Sequence, residues 1–134
     1  MPKIPYNTTY LPPMPSLTVT LHLPGESGSV GPFPAIVDTG ADTTLVPATH
    51  LQQLNAPIWD EAVLRSHWGE HRRIYTYLLD VEIGAHTLLG IVVVGDTQSQ
   101  DIILGRNLLN KLILLLDGPQ TTLHVLSQRP RRLG

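Results

Sequence analysis

A chain of 134 residues is one domain by length and is long enough to bury a core. Apolar residues make up 42%, charged residues only 15%, and the net charge is −2, so composition gives no electrostatic ground for binding nucleic acid or a membrane surface. With no cysteine the chain has neither disulfides nor thiol chemistry, which favours a cytoplasmic location. No stretch reaches the roughly 18 apolar residues of a membrane-spanning helix. The N-terminal Met1-Pro2-Lys3-Ile4-Pro5 offers no apolar run suited to a signal peptide.

Residues 1–15 hold Pro2, Pro5, Pro12, Pro13 and Pro15, which predicts an extended arm rather than a folded element. Leu17, Val19, Leu21 and Leu23 then alternate with Thr18, Thr20 and His22, the period of a half-buried strand. Pro24 to Pro34 reads as a loop, Phe33 to Val37 as a second strand, and Ala48 to Asn55 as a short helix or turn. Val63 to Ile83 forms a long hairpin with its tip at Ser66 to Glu70. On its return limb Tyr75, Tyr77, Leu79, Val81 and Ile83 take one face, with Thr76, Asp80 and Glu82 opposite. Thr87 to Val94 is apolar enough for a strand buried on both faces, and Ile102-Ile103-Leu104 is a short buried one. Leu108 to Lys111 suits a short helix capped by Asn107. Leu112 to Leu116 and Thr121 to Leu126, joined at Asp117-Gly118-Pro119, complete the strands. Many short strands between turns predict an all-β, barrel-like domain over residues 16–127 with one small C-terminal helix. Residues 128–134 form a basic tail.

The chemistry concentrates in Asp38-Thr39-Gly40, which follows the apolar Ala35-Ile36-Val37 and leads into Ala41-Asp42-Thr43-Thr44. A strand carries the carboxylate into a packed interior, and a glycine lets the backbone turn and bring N–H groups close to it. This is the local pattern of an aspartic peptidase half-site. That chemistry uses two carboxylates sharing one proton. The sequence contains one Asp-Thr-Gly and no second Asp-Thr/Ser-Gly, so a homodimer with Asp38 at its two-fold axis is the simplest resolution. The terminal strands, including Thr121 to Leu126, are expected at the interface.

Two blocks, Ala35 to Thr44 and Ile102-Ile103-Leu104-Gly105-Arg106-Asn107-Leu108-Leu109, make the sequence resemble retropepsin-type aspartic peptidases, and the stand-alone prokaryotic members most of all. The similarity spans about residues 16–126, with Val81 to Gly95 alike in spacing and apolarity. The resemblance implies a small closed barrel-like fold with a flap hairpin and a short C-terminal helix, acting as a homodimer on peptide or protein substrates without a cofactor. It makes Asp38 the catalytic carboxylate, with Thr39 bracing its symmetry mate and Gly40 completing the catalytic loop. Gly40, Ala41 and Asp42 fall where substrate is contacted, Ile103 lines a side-chain pocket, and Arg106 reaches Asp42 to tie the helix to the loop. Ser66, His67, Trp68 and Gly69 form the flap tip. That tip departs from viral flaps, holding one glycine beside Trp68, with His67 and His71 nearby. These histidines are four apart with no third ligand apparent, so no metal is expected. A non-catalytic dimeric peptide-binding module of the same fold is the alternative function.

Overall fold

The computed structural model describes residues 3–65, 69 and 71–131, and of Leu64 and Arg65 the backbone alone. The elements in chain order are β1 (Ile4–Pro5), β2 (Ser16–His22), β3 (Ser29–Val37), β4 (Thr44–Pro47), α1 (Ala48–Gln53), β5 (Asp60–Arg65), β6 (His71–Ile83), β7 (His86–Asp96), β8 (Ile102–Leu104), α2 (Arg106–Leu109), β9 (Ile113–Asp117) and β10 (Thr122–Leu126). Six strands close on themselves in the order β2-β3-β8-β4-β7-β6, with β6 pairing back onto β2. The protein is therefore all-β, with a small closed barrel and, among the described residues, two short helices. None of the described helices is long and apolar enough to cross a membrane.

Alternation explains the barrel interior. Leu17, Val19 and Leu21 of β2, Leu79 and Val81 of β6, Ile91 and Val93 of β7, and Ile102 and Leu104 of β8 point inward and are almost wholly buried. Each such side chain contributes about 1.5–3 kcal/mol through removal from water. The burial of β7 on both faces predicted from sequence is not observed. Its deeply buried positions are Ile91 and Val93, and Leu89 faces solvent.

Asp80 also departs from its expected outward face, for a specific reason. The β6–β7 ladder pairs Leu79 with Ile91 but Val81 with Leu88, so β7 carries one extra residue there. Gly90 takes up that bulge at φ +65°, a left-handed conformation that glycine adopts without strain. Its N–H turns to Asp80 Oδ1 at 2.9 Å, while the Gly25 N–H reaches Oδ2 at 3.0 Å. The buried carboxylate thus replaces water with two backbone donors and fastens the β2–β3 turn to the barrel.

A second sheet of three strands, ordered β1-β10-β9, lies at the chain termini. The arm is docked rather than simply extended: Ile4 pairs with Leu123, Pro5 with Thr122, and the Tyr6 N–H donates to Thr121 O at 2.9 Å, after which the chain turns back so that Asn7 and Met14 exchange backbone hydrogen bonds at 2.8 and 3.0 Å. Ile4 packs against the core, which gives this short strand a reason to stay. Within the segment Thr121 to Leu126, expected at a dimer interface, Thr122–Leu126 form the central strand β10, with a neighbour on each edge within the chain.

Candidate active site

Strand β3 runs parallel to β8, with Val37 opposite Leu104, and delivers Asp38 at its end. The Asp38 N–H still donates to Leu104 O at 3.1 Å, so the carboxylate starts from a fixed backbone. The chain then turns: Ala41 N–H donates to Asp38 O at 3.2 Å, and Gly40 N–H donates to Asp38 Oδ1 at 2.9 Å. A Cβ on Gly40 would sit 3.2 Å from that same oxygen, so glycine keeps the carboxylate unobstructed. Asp38 and Ala41 are half-buried, and Thr39, Gly40 and Asp42 are exposed, leaving the loop open on one side.

Helix α2 grips the loop from behind. The Arg106 N–H donates to Ala41 O at 2.8 Å, and the Asn107 N–H to Asp42 O at 3.3 Å. Arg106 Nη1 donates to Thr39 O at 2.8 Å. The Arg106–Asp42 ion pair expected from sequence is not formed in the protomer; the carbonyl of Thr39 takes its place. Arg106 still ties α2 to the Asp38 loop, through backbone oxygens rather than a carboxylate.

Asn107 does not cap the helix. Gly105 holds the cap position in extended conformation, without a side-chain hydrogen bond. Asn107 Oδ1 instead accepts from Thr44 N–H at 3.0 Å and Thr44 Oγ1 at 2.8 Å, and its Nδ2 donates to Val92 O at 2.7 Å. The Thr44 hydroxyl in turn accepts from Gly105 N–H at 3.1 Å. One amide and one hydroxyl therefore join β4, β7 and α2 directly beneath the Asp38 loop. Thr44 is almost fully buried and both its polar groups are satisfied. Gly105 has no alternative: a Cβ there would lie 2.5 Å from the carbonyl carbon and oxygen of Thr43. Sequence reading gave no role to Thr44 and misplaced Asn107. The available signal was a hydroxyl six residues after Asp38 and an amide three after Leu104, both in the blocks already singled out.

Ile103 is half-buried between Ile36 of β3 and Leu45 of β4. A cavity of about 300 Å³ opens beside this floor, lined by Leu45, Ile74 and Val94 with Arg72 and Asp96. It takes Leu45 rather than Ile103 into its wall. A larger apolar cavity, about 410 Å³, lies among Ile4, Leu17, Ile83 and Val125 and touches no residue of the Asp38 loop.

The hairpin expected over the site is present in its two arms, paired from Asp60–Thr76 to Arg65–His71. Of its tip only Gly69 is described, exposed and at φ +79°. Ser66, His67 and Trp68 lie outside the described residues, as does Glu70.

Comparison with known proteins agrees with this geometry. The EIAV protease, solved in complex with the inhibitor HBY-793, is 18% identical, with 81% of this chain and 93% of that one covered and a TM-score of 0.56. A retropepsin-like aspartic protease from Rickettsia conorii is 18% identical, with coverages of 87% and 83% and a TM-score of 0.59. The retroviral protease-like domain of Ddi1 from Leishmania major is 16% identical, with coverages of 84% and 90% and a TM-score of 0.51. At these identities the likeness is one of fold, and the fold is that of retropepsins. No curated protein matches the sequence. A family model described as "gag-polyprotein putative aspartyl protease" matches residues 27–111, from the approach to β3 through the end of α2. The chain belongs to this retropepsin-like aspartyl protease family.

Proposed function

We propose that the protein is an aspartic endopeptidase whose active form is a homodimer, with the Asp38 carboxylates of two chains meeting at the two-fold axis. The observation that carries this reading is one Asp-Thr-Gly loop per chain, held on the end of β3 by Leu104, Ala41 and Arg106 with its carboxylate side open. The mechanism needs two such groups. Of two carboxylates in contact, one holds the proton. The ionised one takes a proton from a water, whose oxygen attacks the scissile carbonyl carbon, and the other gives its proton to the carbonyl oxygen. Transfer of a proton to the amide nitrogen then lets the C–N bond break, and the dyad returns to its shared-proton state.

The β5–β6 hairpin serves as the flap in this reading, with Ser66, His67, Trp68 and Gly69 over bound peptide. Such a lid opens to admit an extended chain and closes to exclude bulk water. Gly40, Ala41, Asp42 and Ile103 contact the substrate from below. Substrates are peptides or proteins, and no cofactor takes part.

The test is incubation of the pure protein with a diverse peptide mixture at several pH values beside Asp38→Asn. Cleavage on the acidic side of neutrality, rising and falling with the single shared proton, is the expected result. Equal cleavage by Asp38→Asn would reject the assignment. Peptide binding without cleavage by the parent would favour the non-catalytic binding module.

A further inference from the structure

The cavity of about 300 Å³ is bounded by Leu45 of the floor and by Arg72 and Ile74 of the hairpin, and the strands set what it presents. Thr44 and Val46 of β4 point into the barrel, so Leu45 between them points out, paired with Ile103 on one side and Val94 on the other. Leu45 follows Thr44, the residue bonded beneath the Asp38 loop, so the cavity adjoins the chemistry. Alternation puts Arg72 and Ile74 on one face of β6, and Val94 and Asp96 on one face of β7. Leu45, Ile74 and Val94 therefore make apolar walls, with one cation and one anion among them.

These two charges do not neutralise each other. Among the described residues neither Arg72 nor Asp96 forms an ion pair. Asp96 Oδ1 accepts the N–H groups of Gln98 at 2.9 Å and Ser99 at 3.3 Å, which fixes the carboxylate in its turn. Its Oδ2 takes no hydrogen bond from a described residue. Arg72 Nη2 reaches Thr97 Oγ1 at 3.4 Å, a long contact for one of the five N–H groups that a guanidinium carries. The cavity thus offers an oriented acceptor and several donors at the rim of an apolar slot.

We propose that this cavity selects a substrate residue with a carboxamide side chain, glutamine in particular, through Arg72 and Asp96. The proposal deepens the peptidase reading above and rests on it. The glutamine carbonyl oxygen accepts from Arg72, its NH2 group donates to Asp96 Oδ2, and its methylenes lie against Leu45, Ile74 and Val94. Each competitor leaves something unmet. Leucine fits the walls but takes water from both charges and returns no hydrogen bond. Glutamate meets Arg72 and sets a second carboxylate against Asp96. Lysine meets Asp96 and opposes Arg72. A neutral side chain that both donates and accepts answers both groups at once.

The test uses peptides identical except for one residue, Gln, Glu, Leu or Lys, walked through each position around the scissile bond, with kcat/KM measured for the parent and two variants. At one position the parent should prefer Gln to Leu and to Glu by about 10-fold. Asp96→Asn keeps an acceptor for Gln98 and Ser99 but turns the second oxygen into a donor. It should reverse the order, so that Glu exceeds Gln by about 10-fold. Arg72→Glu sets two carboxylates at the cavity and should shift the preference to Lys. Each reversal is a gain of activity, which a misfolded variant could not give. A parent with no Gln preference at any position, or preferences that ignore both substitutions, would overturn the pocket and leave the peptidase reading standing. No cleavage of any peptide at any pH would overturn both.

Discussion

The floor of the site and the β5–β6 hairpin are built from the same kind of strand, yet they are secured in opposite ways. Beneath Asp38, Thr44 and Asn107 link β4, β7 and α2 through side chains, and Arg106 holds the loop from outside. The β5–β6 hairpin is held by its own ladder and by an exposed Arg73–Glu61 pair at 2.9 Å, the kind of contact worth about 1 kcal/mol or less. Trp59 and Val63 on that hairpin are 62% and 63% exposed. A reacting carboxylate needs fixed geometry, whereas a lid needs few contacts to break. Among the described residues the buried side-chain hydrogen bonds serve the first task, while on the hairpin Arg72 Nη2 to Thr97 Oγ1 at 3.4 Å and Thr76 Oγ1 to Asp60 O at 3.3 Å are exposed and long.

The comparison breaks first at Gly105. Gly105→Ala forces a Cβ against the Thr43 backbone, and overpacking of this sort should cost about 3 kcal/mol. Urea unfolding would measure it; a loss below about 1 kcal/mol would show that the floor yields more easily than described. Asn107→Ala comes next. It leaves the Thr44 N–H and the Val92 carbonyl without partners and should cost about 2 kcal/mol, with peptide cleavage falling as the loop loosens. Retention of full stability would mean that the amide does not join the strands. Trp59→Ser, on the hairpin's exposed surface, should stay within about 0.5 kcal/mol of the parent. In the same unfolding series, a loss equal to that of Asn107→Ala would erase the distinction between the two regions.

The smallest effect concerns pH. His50 of α1 stacks on Phe33 with ring centroids 3.9 Å apart, and its Nδ1 is buried without a partner. Burial lowers its pKa below the ordinary histidine value, with a Gln53 contact opposing. The folded state therefore disfavours the charged ring. Its stabilising contribution is present above the unfolded value of about 6.5 and is lost as pH falls through the folded one. His50→Phe should flatten the acid limb of the stability profile slightly; an unchanged slope would remove His50 from the account.

Much of this was legible in the sequence because it is written in local pattern. The apolar strand before Asp38, the paired blocks around Asp38 and Arg106, and the alternation of β2 and β6 each follow from neighbouring residues. What escaped depends on distant partners. Asn107 looks like a helix cap, since caps and cross-strand ties use the same short amide, and only the packing of β4 and β7 decides between them. Asp80 looks outward until the extra residue at Gly90 breaks the register. The prolines of the arm say nothing about where Ile4 docks or about the turn that pairs Asn7 with Met14. Arg106 was placed on the right loop but on the wrong atom of it.

The central claim is that each active site draws one carboxylate from each of two chains. Mixing wild-type protein with Asp38→Asn at fixed total concentration, under conditions where subunits exchange, tests it most directly. If the dyad is shared, peptide cleavage should follow the square of the wild-type fraction, falling to about a quarter at equal amounts. A linear fall, to about half, would mean that each chain works with its own Asp38 alone and would contradict the account.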